Sequence, residues 1–184
     1  MGKGYVILGE TIDYLTGETI TLTHDEQARQ AIVRYLVEEK GYRKNEIHPR
    51  LDLPVTVDGH TGHARIDFVI RINGTAYTIV IYGPGSLVSR QKPAIAAACL
   101  IEPYTVPVTI VSNGLDAHVL DTDTGKMTGE GFSAIPSRDA AIDALKRKAP
   151  KPVTEKRREK ARRILYAMQI LTEKECDDYC EFCE

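Results

Sequence analysis

The order of helical and extended patterns predicts an α/β domain with a mixed sheet, followed by a C-terminal helical appendage. One helical pattern precedes three strand patterns, and a second helix and a further buried strand follow, which gives α-β-β-β-α-β. The chain has 184 residues, of which 42% are hydrophobic and 27% charged, as is typical of a soluble globular protein. No apolar run approaches the roughly 18 residues of a membrane span, so we expect a cytoplasmic protein with no membrane partner.

The first helix is predicted to begin after Thr23. Thr23 and Glu26 form a capping-box pattern at its start. Apolar residues then recur at helical spacing as far as Leu36, which predicts one buried face. Gly41 is placed to end this helix.

Three strands follow, separated by two strong turn signals. Residues 51–55 and 64–71 alternate between apolar and polar side chains. Asp58-Gly59 and Asn73-Gly74 predict the turns that join them to each other and to the next strand. Residues 77–82 are apolar on both faces, which predicts a central strand covered on both sides.

The second half of the domain continues with a helix, two strands and another helix. Pro93 is placed to start the helix at its first position. Residues 107–111 have the composition of a buried strand, and Asn113-Gly114 predicts a turn into a strand at 118–120. Ser137 is an N-cap for the last helix of the domain.

A linker with two prolines and several basic residues separates the α/β domain, residues 1–148, from the appendage, residues 149–184. Lys146–Arg163 carries ten Lys or Arg against two Glu, although the whole chain has a formal net charge of −2. This basic segment could follow a nucleic-acid backbone. Alternatively, it is a solvated face that pairs with the acidic C-terminal residues.

Three stretches stand out within roughly residues 23–121: EQARQAIVRYLVEEKGY, ARIDFVI and VTIVSNGLDAHVLD. Together they resemble the N-terminal domain of type I restriction enzyme R subunits. That family belongs to the restriction-endonuclease-like, PD-(D/E)XK superfamily. The resemblance implies the corresponding core, with a metal-dependent nuclease site built from a helix glutamate, a strand aspartate and a Glu-x-Lys on the next strand.

Carried over by position, the helix acid is Glu26 and the strand acid is Asp67, which would be catalytic residues and ligands of Mg²⁺ or Mn²⁺. At the expected position of Glu-x-Lys, however, the sequence is Ile81-Tyr82-Gly83. Phosphodiester hydrolysis at such a site needs a divalent cation held by carboxylates, and a cationic group near the attacking water. Arg90 is the candidate cationic substitute. We therefore expect a degenerate site, with an active nuclease of rearranged geometry as the alternative.

Both acids also have structural explanations. Glu26 would close the capping box with Thr23. A lone carboxylate in an apolar strand is costly if buried without a partner, and Asp67 could pair with Arg65 or Arg71 on its own strand.

A polar group follows the predicted central strand. The Gly83-Pro84-Gly85 break precedes Ser86, Ser89, Arg90 and Lys92. Ligand sites in α/β sheets gather at the carboxyl ends of strands, so these four side chains are candidate ligands for an anion. The simpler interpretation is that the break only terminates the strand.

Cysteines near the C-terminus suggest another chemistry. Cys176, Cys180 and Cys183, with Cys99 as a fourth ligand, could hold Zn²⁺ or an iron–sulfur cluster. Their spacing also fits one face of a helix, where cysteine packs as a small hydrophobe. A metal-binding interaction protein is thus a second alternative.

The leading hypothesis is a catalytically inactive protein of the nuclease fold that acts by binding. Nucleic acid is the ligand that the resemblance implies, and a protein partner, including a second copy of the chain, is the other candidate. A cleavage assay with Mg²⁺ or Mn²⁺ separates this hypothesis from an active nuclease.

Overall fold

A six-stranded mixed sheet forms the centre of the fold in the computed structural model, which describes residues 6–170. A separate antiparallel hairpin of two strands, β1 (Ile7–Ile12) and β2 (Thr19–Thr23), precedes it. The strands of the large sheet lie in sequence order: β3 (Ile47–Val57), β4 (His60–Ile72), β5 (Thr75–Tyr82), β6 (Val108–Ser112), β7 (Ala117–Asp121) and β8 (Met127–Glu130).

One pair of neighbours in this sheet is parallel, and the others are antiparallel. Helix α2 (Leu87–Ala98) connects the parallel strands β5 and β6 as a crossover. The other helices are α1 (His24–Glu38), α3 (Arg138–Arg147) and α4 (Glu155–Leu165), which continues as a π-helical turn over Tyr166–Ile170.

Helices cover both faces of the sheet. Successive residues of β5 point in opposite directions. Val80 packs in the cluster formed with α1 and α3, whereas Ile79 and Ile81 pack in the cluster formed with α2 and α4. The expectation of a central strand buried on both sides is confirmed, as is the α/β fold with a mixed sheet and a helical appendage.

The second helix begins earlier than the sequence predicts. Leu87 is its first residue and is buried in the core, so the apolar anchor of the first turn precedes Pro93. Gly85, at a φ of 85°, turns the chain immediately before the N-cap Ser86. Pro93 therefore lies inside the helix rather than at its first position. In the helix interior, the missing N–H of proline costs one backbone hydrogen bond.

Two features were not predicted from the sequence. The β1–β2 hairpin is largely exposed, and its apolar and polar residues do not alternate clearly enough to predict two strands. The short edge strand β8 carries the sequence MTGE, which has little strand character. Both are peripheral, and neither changes the order of the core elements.

The appendage packs against the domain instead of extending away from it. Ala161, Leu165 and Ile170 lie in the same core cluster as α2 and one face of the sheet. Within residues 6–170, no helix is both long enough and apolar enough to cross a lipid bilayer. The division at residue 148 and the short final helix remain predictions, the latter because it falls outside the described residues.

Candidate active site

Asp67 lies within β4 and is only 4% exposed, so its carboxylate depends on protein partners. Arg29 of α1 donates its Nε–H to Oδ1 at 2.6 Å. The backbone N–H of Tyr82 donates to Oδ2 at 2.7 Å. The expected pairing with Arg65 or Arg71 was wrong, because Asp67 pairs across the fold with the helix and Arg71 pairs instead with Glu102.

Glu26 lies in the first turn of α1, next to Asp67 in space. The hydroxyl of Thr23 accepts from the Glu26 backbone N–H at 3.1 Å, which confirms Thr23 as the N-cap. The Glu26 side chain is drawn into the interior instead of folding back to the cap: its Oε1 accepts from Gln30 at 2.9 Å and from Arg50 at 3.0 Å. Only the Thr23 half of the predicted capping box is therefore formed.

The two acids implied by the resemblance converge on one guanidinium. Arg29 lies 2.6 Å from Asp67 through Nε and 3.7 Å from Glu26 through Nη1. It also stacks over the ring of Tyr82, with 5.1 Å from Cζ to the ring centroid. Burial opposes the charge of Arg29, but the neighbouring Asp67 raises its pKa above the ordinary value. The contact between Arg29 and Glu26 could have been predicted from the sequence, because Arg29 follows Glu26 at i+3 on the same helix face.

A second arginine links Glu26 to the segment before α1. Arg50 Nη2 lies 3.0 Å from both Glu26 and Asp13, and Asp13 is 2% exposed. Burial acts to raise the pKa of Asp13, yet backbone N–H groups of Thr16 and Leu15, with Arg50, bring it below its usual value. Nothing local in the sequence indicated this contact, since Asp13 and Arg50 meet only in the folded chain.

Arg50 has an unusual backbone conformation for a strand residue. Its φ is 55°, in the left-handed region that non-glycine residues rarely adopt. The register places it between the pairs Pro49–Phe68 and Leu51–Ile66, and therefore beside Asp67 on the neighbouring strand. Such strain persists only where surrounding contacts hold it.

Three acids and two arginines are thus joined by ion pairs. We name Asp13, Glu26, Arg29, Arg50 and Asp67 the ion-pair cluster.

The third core strand brings Tyr82 to the cluster but no carboxylate and no lysine. The Tyr82 hydroxyl donates to Asp25 at 3.0 Å. Burial and Asp25 raise the pKa of this phenol, so it stays protonated at neutral pH. Ile81 and Gly83 flank it and offer neither a metal ligand nor a cation.

The proposed anion ligands are distributed over two places. Ser86 is the N-cap residue of α2, and Ser89 donates to its carbonyl oxygen at 3.1 Å. Arg90 donates to the Pro84 carbonyl at 2.7 Å and lies against Gly83, so its head group is held at the end of β5. Lys92 instead lines a groove of about 370 Å³ beside α4.

The cysteine prediction can be followed only in part. Cys176, Cys180 and Cys183 lie outside the described residues, so the Zn²⁺ or iron–sulfur hypothesis stays a prediction. Cys99 is 2% exposed at the end of α2. Burial raises the pKa of its thiol, and Arg157 partly offsets this effect. A buried, neutral thiol acts as a packing group.

The arginines of the basic segment are mostly engaged with the protein itself. Arg157 pairs with Asp123 at 2.8 Å, and Arg158 donates to the backbone carbonyls of Glu102 and Leu100. Arg162 and Arg163 pair with acids of the same helix, and Arg163 also with Asp58. Arg147 donates to the backbone carbonyl of Asp143 at 3.1 Å.

Comparison with known proteins agrees with this architecture. The family model of the type I restriction enzyme R protein N terminus matches residues 24–136, which is more than half of the chain. No curated protein and no solved structure matches the chain significantly. The matched region runs from the first residue of α1 to the turn before α3, and so contains four of the five residues of the ion-pair cluster. The chain therefore belongs to the family of type I restriction enzyme R protein N-terminal domains.

Proposed function

We propose that this chain is a non-cleaving member of its family that acts by binding, with nucleic acid as its ligand. The observation that carries the proposal is the position of Arg29, whose guanidinium contacts Glu26 and Asp67 together. In a metal-dependent nuclease, those two carboxylates would face a divalent cation. Here a permanent protein cation takes the same electrostatic role.

The charge balance of the ion-pair cluster disfavours a metal. Three carboxylates meet two arginines, and backbone N–H groups of Leu15, Thr16 and Tyr82 provide further hydrogen bonds to the acids. A Mg²⁺ ion dehydrates reluctantly and needs octahedral oxygen ligands. It would have to break the 2.6 Å bond between Arg29 and Asp67 and leave a guanidinium beside it.

A lysine to assist an attacking water is also lacking among the described neighbours of Asp67. The lysine of the family motif is replaced at the end of β5, and arginine stays protonated, so Arg29 cannot serve as a general base. Arg90 is held by the Pro84 carbonyl, and no described contact joins it to either acid. These features support a scaffold without the hydrolytic step.

The proposed lack of cleavage is tested by incubating the full chain with linear and supercoiled DNA and either Mg²⁺ or Mn²⁺. We expect no cleavage above the level given by an Asp67→Ala variant. Divalent-dependent cleavage that disappears in Asp67→Ala would establish the alternative, an active nuclease with a rearranged site. Circular dichroism of both proteins checks that the variant is folded, and Asp67→Asn provides a second, more conservative variant.

Nucleic-acid binding is supported by exposed cations that remain after the arginines are accounted for. Lys148, Lys156 and Lys160 are exposed and form no ion pair with any residue in the described range. Lys156 and Lys160 stand four residues apart on α4, so they project from the same side of the helix. Such a strip can contact successive phosphates.

Fluorescence anisotropy of a labelled DNA duplex at several salt concentrations tests this part. We expect the affinity to fall steeply with salt, and Lys160→Gln to reduce the slope of log K against log salt by about 1. Arg65→Gln removes one exposed positive charge on β4 and should leave the slope unchanged. A salt-independent affinity, or equal slopes for all three proteins, would refute phosphate contact by α4.

A second candidate, self-association, is favoured by the β1–β2 hairpin. Val6, Ile7 and Ile12 are apolar and between 59% and 69% exposed. An exposed strand edge with apolar side chains is a template for pairing with another strand. Light scattering that gives a dimer, and a monomer for Ile7→Lys, would support this function; a monomer in both cases would exclude it.

A further inference from the structure

A second group of potential metal ligands lies on the hairpin formed by β7 and β8. We name Asp116, His118 and Glu130 the hairpin triad, since one ligand atom from each lies within 4.8 Å of the other two. Asp116 immediately precedes β7, and His118 is the second residue of that strand. Glu130 is paired directly opposite His118 in the antiparallel register, so these two side chains lie on the same side of the sheet.

The imidazole of the triad is held by a residue from another element. His118 is 12% exposed, and its Nδ1 lies 2.8 Å from the side-chain amide of Gln91 on α2. The Gln91 atom nearest Nδ1 is the amide nitrogen. Rotation of this amide by 180° presents its oxygen to Nδ1–H and leaves the lone pair of Nε2 facing the two carboxylates. Histidine ligands of metals are oriented in this way by a hydrogen bond to their second ring nitrogen.

The two acids of the triad differ in rigidity. Asp116 is half-buried, and its Oδ1 accepts from the backbone N–H of Ala117 at 2.7 Å. Glu130 is 63% exposed and can rotate towards His118, from which it is separated by 4.0 Å. Neither acid forms an ion pair with a lysine or arginine in the described part of the chain. The triad thus combines two carboxylates that no protein cation neutralises with one oriented imidazole.

We propose that the hairpin triad binds one divalent transition-metal ion of the Zn²⁺ type. Imidazole combined with carboxylate favours Zn²⁺ and similar ions over Mg²⁺ or Ca²⁺. Bonds of about 2.0–2.2 Å in a tetrahedral arrangement separate the ligand atoms by roughly 3.4 Å. The 4.0 Å between His118 and Glu130 therefore needs to close by about 0.6 Å, and the separations from Asp116, which are at most 4.8 Å, by at most about 1.4 Å. Three protein ligands leave the fourth position to a water molecule or another exchangeable ligand.

Titration of the full chain with Co²⁺, a coloured substitute for Zn²⁺, tests the proposal. We expect visible d–d absorption without a thiolate-to-cobalt charge-transfer band, and competition of this absorption by Zn²⁺ but not by Mg²⁺. Glu130→Gln, at an exposed position that leaves the fold intact, should weaken Co²⁺ binding roughly tenfold or more. His118→Ala should abolish it, and His60→Ala, which removes an exposed histidine of β4, should not change it.

The same spectra separate the triad from the C-terminal cysteines. Absorption dominated by thiolate charge transfer, and lost when Cys176, Cys180 and Cys183 are changed together to serine, would overturn the proposal. So would the absence of Co²⁺ binding, or equal affinities for the wild type, Glu130→Gln and His118→Ala. Retention of the d–d bands in the triple serine variant would support the triad as the site.

Discussion

The ion-pair cluster and the hairpin triad are both groups of potential metal ligands, but they differ in what balances their charge. In the cluster, each carboxylate contacts an arginine at 2.6 to 3.0 Å. In the triad, the one hydrogen bond to a carboxylate within the described residues comes from the backbone N–H of Ala117, and the neutral amide of Gln91 contacts the imidazole of His118. The cluster has more carboxylates and, by that count alone, would be the better metal site. Its arginines, however, already contact every one of these carboxylates.

This difference has a general physical basis. Burying a carboxylate is costly unless an opposite charge and hydrogen bonds accompany it. Buried carboxylates that hold no metal must receive that charge from protein side chains, whereas an exposed carboxylate can rely on water. Arg29 is therefore expected to be essential for stability, and Glu130 is not.

The largest effect is expected for Arg29→Met, which keeps a long side chain but removes the charge. Asp67 is then left buried with one backbone N–H as its partner. Removal of one partner from a buried pair typically costs about 3–5 kcal/mol of the free energy of unfolding. Urea denaturation followed by circular dichroism measures this loss.

The matched control for this comparison is Arg163→Met on α4. Arg163 pairs with Glu159 at 2.9 Å, but both side chains are about half exposed. Exposed pairs are worth about 0–1 kcal/mol, so this variant should unfold close to the wild type. Equal losses for Arg29→Met and Arg163→Met would contradict the role assigned to Arg29.

A smaller effect separates the backbone of Arg50 from its side chain. Both Arg50→Ala and Arg50→Gly remove the contacts with Asp13 and Glu26. Glycine tolerates the φ of 55°, whereas alanine does not. We expect the glycine variant to be the more stable by about 1 kcal/mol, measured by urea denaturation. An alanine variant as stable as the glycine variant would show that the backbone at this position is not strained.

The ion-pair cluster also makes the protein sensitive to acid. The folded pKa of Asp13 lies below the ordinary value of 3.8 for an aspartate. Its carboxylate therefore contributes stability above that pH, and the contribution is lost as the pH falls through the folded pKa. Asp13→Asn should be less stable at neutral pH and lose less stability between about pH 4 and pH 2. Urea midpoints across this range measure both effects, and parallel curves for the two proteins would argue against the Asp13 interaction.

The smallest effect is expected at the triad without metal. Glu130→Gln removes a charge that is 63% exposed and forms no close ion pair. Substitutions of this kind usually change the free energy of unfolding by less than about 0.5 kcal/mol. A thermal melt in the presence of a chelator checks this, and a large loss would mean that Glu130 already has a structural partner.

The sequence predicted those features that depend on neighbours along the chain. The caps at Thr23 and Ser137 and the turns at Asp58-Gly59 and Asn73-Gly74 are present because each is determined within four residues. Helix α2 was misplaced at its start because a proline signal outweighed Leu87, whose burial is a tertiary property.

The candidate site was predicted less completely than the fold. Glu26 and Asp67 were implied by the family resemblance; both lie beside Arg29, and their role as site residues stays a prediction. The predicted partner of Asp67 was wrong because its actual partner, Arg29, lies 38 residues away on a helix, whereas the prediction named arginines of the same strand. Arg50 and Asp13 meet through tertiary contacts that no local pattern contains. Likewise, Asp116 and His118 are two residues apart in the sequence, but the approach of His118 to Glu130 depends on the register of β8.

The most direct test of the central claim is an experimental structure of crystals soaked in Mn²⁺, with the ion located by its anomalous scattering. We expect no Mn²⁺ between Glu26 and Asp67, and the guanidinium of Arg29 still bonded to the Asp67 carboxylate. A Mn²⁺ ion held by both acids, with Arg29 displaced, would contradict it.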